Sequence, residues 1–358
     1  MAAFTAIDDP SAYFKVQLYT GNGSANHAIT FNDTDTDMQP DFVWIKNRDA
    51  TDIPCLFNAV NGATKRLDAT SNAAEVTDTD TLDSFTSDGF QVDADVKVNT
   101  NTEKYVAWCW KAGTTSGITT NGSTDTTPSA YTFNQTSGFS CIKYVGNGVD
   151  DTQVAHGLGA APHFILIKNI EVTADWCAYH QKMDATAPGD YYMVPSGTGV
   201  RINNSALFSD AATDSVNITY GTDAQVNGTL GHDYIAYCFA PVQGYSKFGS
   251  YEGNGNADGP FVYTGFRPAF LLIKNIDQTG TYWIGYDNKR PGYNVDNGFL
   301  EMNYAGTEGT TKDIILASNG FKPVLSINDT NQSGKTYIYA AFAEAPFVNS
   351  NGVPCNAR

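Results

Sequence analysis

The chain contains three copies of one pattern of short motifs, and this internal repeat restricts the possible folds more than any other feature of the sequence. A hydrophobic run that opens with proline and closes with Ile-Lys-Asn occurs at residues 40–47, 162–169 and 268–275. A Tyr-x-Gly-Asn-Gly segment precedes each run, at residues 19–23, 144–148 and 251–255. A tyrosine-rich run follows each, at residues 105–110, 234–239 and 337–342. Three motifs in one order, three times over, indicate a single module repeated in tandem.

The spacing of the copies indicates the size of that module. Tyr19 and Tyr144 are 125 residues apart, and Tyr144 and Tyr251 are 107 apart. Solenoid and propeller repeats are much shorter, roughly 20 to 50 residues, and do not fold alone. A unit of roughly 100 residues is a common size for an independent domain. We therefore expect three small domains in series.

Each module is predicted to be all-β. Residues 42–45 (Phe-Val-Trp-Ile) form a short apolar run of strand-favouring residues, as expected for a strand that is buried on both faces. Clusters of Gly, Asn, Asp, Ser and Thr separate such runs and are typical of turns. No stretch shows a sustained helical period. Many short strands with regular turn signals favour a sandwich or a barrel.

Composition changes along the chain indicate the domain boundaries. Residues 114–129 are almost free of apolar side chains, which is typical of a linker or a long exposed loop. We predict a first β module at residues 1–113, that linker or loop at 114–129, a second β module at 130–242, a third at 243–347 and a polar tail at 348–358.

The net charge of −17 disfavours nucleic acid as a partner, because the phosphates would be repelled. No run approaches the length of a membrane span, so no membrane partner is expected either. The residues that follow Met1 lack the basic start and apolar stretch of a secretory signal. We therefore expect synthesis in a cytoplasm.

The six cysteines show no Cys-x-x-Cys spacing. Cys109 and Cys238 occupy the same place in two repeats, where the third repeat has Ala341. A cysteine that exchanges with alanine acts as a small core residue. Disulfides are therefore not expected, which agrees with folding in a reducing compartment.

The glycines of the Tyr-x-Gly-Asn-Gly segments have a structural and a functional interpretation. They are Gly21, Gly23, Gly146, Gly148, Gly253 and Gly255. Because Gly and Asn accept positive φ, we predict a tight hairpin or a bulge after a strand that ends in tyrosine. Phosphate binding would need a helix N-terminus after the loop, and none is predicted there. The structural role is favoured.

The Ile-Lys-Asn residues are the best candidates for a special role. They are Lys46, Asn47, Lys168, Asn169, Lys274 and Asn275. The lysine is either a cation that faces a ligand or the end of a buried strand that extends its head to water and bonds a neighbouring loop. Recurrence in all three modules favours the second interpretation. The aromatic residues that follow could stack on sugar rings or fill the core: Trp176, Tyr179, Tyr282, Trp283 and Tyr286.

Catalytic signals are lacking. None of the five histidines recurs across the repeats or has the His-x-x-x-His spacing of a metal site, and Gly-x-Ser-x-Gly is absent. Acidic residues are concentrated in loops, where they are expected to be solvated and to discourage aggregation between strand edges. The loop from Asp33 to Asp37 could offer oxygens to Ca²⁺, but it lacks the glycine and the final glutamate of an EF-hand. We predict no enzyme, no catalytic, cofactor-binding or metal-binding residues, and no cofactor.

These motifs, taken together, resemble a module that is common in tail-fibre and other virion structural proteins of marine bacteriophages, cyanophages among them. The resemblance rests on 7–14 (Ile-Asp-Asp-Pro-Ser-Ala-Tyr-Phe), 39–48, 87–90 (Ser-Asp-Gly-Phe) and 105–113 in the first copy, 154–159 and 234–240 in the second, and 318–321 and 337–342 in the third. It implies a non-enzymatic virion component made of β-sandwich modules, jelly-roll or lectin-like, produced in the cytoplasm of a host bacterium.

We consider three candidate functions, in order of preference. The first is a tail or tail-fibre component that contacts the host surface, with other virion proteins and a host surface glycan as partners and a homo-oligomer, with a trimer favoured, as its assembly. The second is a capsid decoration or head-fibre protein. The third, supported only by the acidic loops, is a glycan depolymerase that would use paired carboxylates.

Overall fold

The computed structural model describes residues 4–31, 36–290, 294 and 298–355. Residues 4–113 are called repeat one below, residues 130–242 repeat two and residues 243–347 repeat three. Each repeat forms one large and one small antiparallel sheet.

Repeat one has the strands β1 (Phe14–Thr20), β2 (His27–Thr30), β3 (Phe42–Asn47), β4 (Cys55–Asn58), β5 (Gly62–Asp68), β6 (Val76–Thr77), β7 (Leu82–Thr86), β8 (Gly89–Val92) and β9 (Lys104–Trp110). Its large sheet has six strands in the order β1-β9-β3-β4-β5-β6, and its small sheet has three in the order β2-β8-β7. A short 3-10 helix (Pro10–Ala12) precedes β1, and a one-turn α-helix, α1 (Val96–Asn99), precedes β9.

Repeat two has the strands β10 (Ala130–Asn134), β11 (Phe139–Val145), β12 (Thr152–Ala155), β13 (Phe164–Asn169), β14 (Cys177–His180), β15 (Tyr191–Tyr192), β16 (Ile202–Asn203), β17 (Phe208–Thr213), β18 (Asn217–Tyr220) and β19 (Asp233–Phe239), with a 3-10 helix at Pro188–Asp190. Its large sheet has the order β10-β11-β19-β13-β14, and its small sheet has the order β12-β18-β17. Strands β15 and β16 form a separate pair.

Repeat three has the strands β20 (Ser246–Glu252), β21 (Val262–Tyr263), β22 (Phe266–Asn275), β23 (Ile284–Asp287), β24 (Leu300–Glu301), β25 (Ile314–Ala317), β26 (Gly320–Pro323) and β27 (Thr336–Pro346). The sheets have the orders β20-β27-β22-β23-β24 and β21-β26-β25. The prediction of an all-β, sandwich-type fold is confirmed.

The three large sheets share one register. The tyrosine that opens each Tyr-x-Gly-Asn-Gly segment pairs with the tyrosine that opens each tyrosine-rich run: Tyr19 with Tyr105, Tyr144 with Tyr234 and Tyr251 with Tyr337. The Ile-Lys-Asn strand pairs with the other side of the same central strand in each case. Positions can therefore be compared between repeats residue by residue.

Alternation along the Ile-Lys-Asn strands explains why they are buried on both faces. In β3, Val43 and Ile45 face the small sheet of repeat one and belong to that repeat's own core. Phe42 and Trp44 face the opposite way and belong to a cluster with residues from all three repeats. A strand with a period of two thus serves two cores at once.

A central aromatic triangle joins the three repeats. Trp110, Phe239 and Phe342 hold equivalent places in β9, β19 and β27, each opposite the first phenylalanine of the Ile-Lys-Asn run, and they contact one another. Their ring centroids lie 6.1 Å (Trp110–Phe239), 5.5 Å (Trp110–Phe342) and 5.7 Å (Phe239–Phe342) apart. Three equivalent residues in mutual contact place the large sheets around a common axis.

The expectation of three self-contained domains in series is therefore wrong. Each repeat has its own sandwich core. The outer faces of the large sheets, however, are buried against one another in one shared cluster, and separating the repeats would expose that cluster to water. Shared burial makes the three repeats one body.

The segment at residues 114–129, predicted to be a linker or long loop, is hydrogen-bonded to repeat two. Thr114 exchanges backbone hydrogen bonds with Phe133 in β10, at N···O distances of 3.1 and 2.9 Å. Thr126 forms a parallel bridge with Val154 in β12. The segment is mostly exposed and contains no strand of its own, but its backbone extends both sheets of repeat two.

Candidate functional site

The Gly-Asn-Gly loops connect strands of different sheets, so the predicted hairpin is wrong. Strands β1 and β2 lie in the large and the small sheet of repeat one, and the other repeats follow the same path. The second glycine of each loop has positive φ: 67° at Gly23, 68° at Gly148 and 69° at Gly255. The first glycine is needed for space, because a Cβ at Gly21 or Gly253 would collide with a backbone carbonyl of the chain entering the central strand.

A buried asparagine ties each of these loops down. In repeat one, the side chain of Asn99 accepts a hydrogen bond from the backbone N–H of Asn22 (2.9 Å) and donates to the carbonyl of Ser24 (2.8 Å). Asn227 and Asn331 make the corresponding bonds to the loops that contain Asn147 and Asn254. All three buried asparagines have no exposed surface. Their amides satisfy loop backbone that water cannot reach.

A stacked tyrosine pair lies beside each loop. The two paired tyrosines of each large sheet have centroids 5.0 to 5.4 Å apart and planes 13° apart. Their hydroxyls donate to backbone carbonyls of the segment that carries the buried asparagine; Tyr19, for example, donates to Val98 at 2.8 Å. The repeated motif therefore closes one end of each sandwich.

The three repeated lysines are completely buried, which corrects the expectation that their heads extend to water. Their Nζ atoms donate to protein oxygens: Lys46 to the carbonyl of Tyr304 (2.8 Å), Lys168 to that of Asn169 (2.7 Å), and Lys274 to the carbonyl and hydroxyl of Thr281 (2.7 and 2.8 Å). Burial lowers the pKa of each lysine to about 8.

The asparagines of Ile-Lys-Asn hold the turn that follows their strand. The side-chain oxygens of Asn47, Asn169 and Asn275 accept from backbone N–H groups two residues further on, at 2.9, 3.1 and 2.9 Å. Asn47 and Asn275 also donate to the hydroxyl of the central-strand tyrosine, at 3.2 Å in each case. The structure thus brings lysine, asparagine, glycine and tyrosine together as a support for the backbone.

The boundaries between repeats are the second candidate region. The last residue of β4, β14 and β23 reaches across a boundary in each repeat, but with different chemistry. Asn58 donates to the hydroxyl of Tyr237 (2.9 Å), His180 bonds the carbonyl of Tyr339 (3.1 Å), and Asp287 accepts from the indole of Trp108 (3.1 Å).

Two of these boundaries have a groove that is lined by described residues. The groove between repeats two and three, called the 2–3 groove, has a volume of about 530 Å³; its lining includes His163, Gln181, Lys182, Lys247, Phe261 and Tyr263. The groove between repeats three and one, called the 3–1 groove, has a volume of about 380 Å³; its lining includes Lys15, Ala269, Asn288, Lys289, Phe31 and Glu344.

The walls of the two grooves correspond by register. Lys247 and Lys15 hold the same place in β20 and β1, opposite Ala341 and Cys109. Strands β14 and β23 are equivalent, and Lys182 and Lys289 come two residues after their respective ends. Strand β11 is the equivalent of β1 and β20, and it lies at the third boundary. Its outer edge is covered by β10, whereas the outer edges of β1 and β20 pair with no strand among the described residues.

Two exposed aromatic side chains distinguish the 2–3 groove. Phe261 and Tyr263 are 51% and 55% exposed and flank the buried Val262. Repeat one has Ala28 and Thr30 at these positions, since Ile29 and Val262 both pair with the phenylalanine of the adjacent strand in the small sheet. Lys247 donates to the carbonyl of Tyr263 at 2.7 Å, and its ammonium lies 5.1 Å from the centroid of that ring.

Sequence reasoning missed these two residues and proposed others. Of the aromatic residues named as sugar-stacking candidates, Trp176, Tyr179, Trp283 and Tyr286 are buried, and Tyr282 is half-buried. The available signal was a comparison of the three repeats at the positions that flank the buried residue of β2, β12 and β21. Only repeat three has an aromatic residue on both sides there.

Among the described residues, no group of three or more His, Cys, Asp or Glu side chains is placed to hold a metal ion. The Asp33–Asp37 loop lies mostly outside the described residues. All six cysteines are free; five are buried and Cys355 is exposed. In the part of the chain that the structure describes, no helix is long and apolar enough to cross a membrane.

The fold and these boundaries define an all-β protein with three sequence-related pairs of sheets around one aromatic core. Residues 9–346 match a family described as a domain of unknown function, DUF7483. The chain belongs to this family, and the match spans all three repeats. No curated protein and no solved structure matches the chain.

Proposed function

We propose that this protein is a non-enzymatic structural component of a bacteriophage particle, located on the tail or its fibres, where it contacts the host surface. The proposal rests first on the resemblance of its repeated motifs to phage tail-fibre and virion modules. The 2–3 groove is the observation that carries the contact role. It combines exposed aromatic rings with lysines in a chain whose net charge is −17.

A binding role is proposed in preference to catalysis because the repeated polar residues already have structural tasks. The lysines and asparagines of Ile-Lys-Asn bond backbone and neighbouring side chains, and the glycines make room for the loops. A buried, satisfied network of this kind makes a fold rigid and specific. A rigid body of this kind can hold a surface groove in one shape while it is exposed to the medium.

The proposed partners are other virion proteins and a host surface glycan, and the proposed assembly is a homo-oligomer, with a trimer favoured. The common axis within one chain adds an alternative, in which a single copy sits on a threefold axis of a particle. Light scattering on the purified chain distinguishes these, since a trimer has three times the monomer mass of 38.6 kDa.

Gold-labelled antibodies against the purified chain, applied to particles from the source lysate, test the proposal. We expect label on the tail, and we expect the free chain to slow the adsorption of particles to cells. Label on the head without an effect on adsorption would favour the capsid decoration role instead. Particles without label, and without the chain by mass spectrometry, would overturn the virion assignment.

A further inference from the structure

We propose that the 2–3 groove is a binding site for an acidic saccharide. This inference deepens the proposed function, because it names the site and the chemistry through which a host surface glycan would be held. It concerns the isolated chain and is therefore testable without particles.

The size and position of the groove suit a short saccharide. At about 530 Å³ it lies within the range of ligand sites, and its walls come from two repeats. Gln181 fixes the walls together, because its side-chain nitrogen donates to Nδ1 of His163 (2.6 Å) and, more weakly, to the carbonyl of Phe248 in β20 (3.4 Å). A second groove of about 480 Å³ adjoins it and shares Lys247 and Tyr263.

The exposed aromatic residues are concentrated here. Four aromatic side chains are exposed among the residues described by the structure: Phe4, Phe261, Tyr263 and Tyr304. The first three line the two adjoining grooves. Phe261 comes just before β21 and Tyr263 ends it, and both are exposed while Val262 between them is buried in the core. Clustered apolar surface of this kind marks an interaction site, and flat rings match the C–H faces of sugars.

The charge of the groove selects an acidic sugar over a neutral one. Its described lining includes Lys182 and Lys247 and no acidic residue, in a chain with 38 acidic and 21 basic side chains. Lys182 is exposed, and Lys247 is held beside the ring of Tyr263. A carboxylate or sulfate on a stacked sugar would therefore meet two ammonium groups.

An extended peptide is the competing occupant, because β10 covers the equivalent edge in repeat two. A peptide would bind β20 through its backbone. The same strand edge is available in the 3–1 groove, which lacks the exposed aromatic pair and contains Glu344. The feature specific to the 2–3 groove is thus the pair of exposed aromatic rings. This pair favours a ligand whose ring faces stack on them, such as a sugar.

Calorimetric titration of the full chain with hexagalacturonate, maltohexaose and a synthetic peptide of residues 128–136 tests the proposal. We expect hexagalacturonate to bind, with an affinity that falls as salt rises, and maltohexaose to bind at least several-fold more weakly. Phe261→Ala and Tyr263→Ala should each weaken binding by about tenfold or more, as for aromatic anchors of other interfaces. Lys182→Ala should weaken it a few-fold at low salt.

Matched controls come from the same chain. Tyr304→Ala removes an exposed aromatic residue outside the groove, and Lys289→Ala removes the equivalent lysine of the 3–1 groove; each should change the affinity less than twofold. Thermal melting confirms that every variant is folded.

Absence of binding at millimolar hexagalacturonate, or equal loss in the control variants, would overturn the proposal. Equal affinity for maltohexaose and hexagalacturonate would overturn the proposed preference for an acidic saccharide. If the peptide binds and neither saccharide does, the groove is instead a site where a peptide strand adds to the edge of β20. None of these results bears on whether the chain is found in a particle.

Discussion

The 2–3 groove and the 3–1 groove are built from equivalent strands, and they differ where the two repeats differ. Both have a lysine on the edge strand and a lysine after the neighbouring strand. The 2–3 groove adds Phe261 and Tyr263, where repeat one has Ala28 and Thr30. The comparison teaches that the repeat supplies the groove, whereas a few outward-facing positions decide what it can bind.

The boundaries beneath the two grooves also differ. The 2–3 boundary contains the buried His180, and the 3–1 boundary contains a buried ion pair in which Arg290 Nε lies 2.6 Å from a carboxylate oxygen of Asp287. Neither side chain of that pair is exposed. A different polar group at each boundary favours one arrangement of the repeats over the others, since a mismatched neighbour would leave it unsatisfied.

The largest effect is expected from Phe342→Ala, which disturbs both grooves at once. Phe342 contacts Phe14 in β1 and Phe248 in β20, with centroids 5.3 and 5.9 Å apart, and it is one corner of the central triangle. Loss of a buried phenylalanine should lower the free energy of unfolding by about 3–5 kcal/mol. Denaturant unfolding measures it. Phe261→Ala, which removes an exposed phenylalanine, is the control and should cost far less.

Asp287→Asn should weaken the 3–1 boundary selectively. The substitution removes the nearer carboxylate from the buried Arg290 guanidinium and leaves only Glu308, 4.0 Å away, which should cost up to about 3 kcal/mol. Hydrogen exchange should then rise in β1 and β23 more than in β13 and β20. A uniform increase across all three repeats would show that the boundaries do not open separately.

Acidification should weaken the 2–3 boundary. Burial lowers the pKa of His180 to about 3, from an ordinary value near 6.5. Between these two pH values the unfolded chain binds a proton at His180 that the folded chain does not. The contribution of His180 to the free energy of unfolding is therefore fully present above about pH 6.5 and falls by about 1.4 kcal/mol per pH unit as the pH drops toward 3. His156 and His163, whose pKa values burial lowers to about 4, add losses of the same sign.

His180→Asn, which introduces the residue that repeat one has at this position, isolates the contribution of His180. Thermal melting at pH 7, 6 and 5 should show a shallower decline in the variant than in the parent chain. This window lies above the range in which most carboxyl groups titrate. Identical slopes would mean that His180 accepts a proton in the folded state.

The smallest effect is expected when the equivalents of Phe261 and Tyr263 are introduced into repeat one. Ala28→Phe with Thr30→Tyr gives the 3–1 groove the rings of the 2–3 groove, at positions that are already exposed, so stability should change little. Titration with hexagalacturonate should reveal a second, weaker site, because Glu344 remains in the lining. An unchanged stoichiometry would show that the rings are not sufficient.

The sequence by itself determined the all-β class, the repeat and the strand that each motif would form. These properties follow from local chemistry: a run of β-formers defines the strand at 42–47, and glycine with asparagine defines the loop after Tyr19. Cys109 and Cys238 were correctly assigned to the core for the same reason, since each exchanges with a small apolar residue.

The tertiary structure alone decided how the repeats meet and which side chains remain in water. Trp110, Phe239 and Phe342 are far apart in the chain, and no local pattern states that they contact one another. Lys46 bonds the carbonyl of Tyr304 in repeat three, so its burial depends on a partner 258 residues away. Trp176 and Phe261 are both large aromatic residues near a strand. The first is covered by a neighbouring repeat and the second is not, because burial depends on the whole assembly of sheets and not on the residue type.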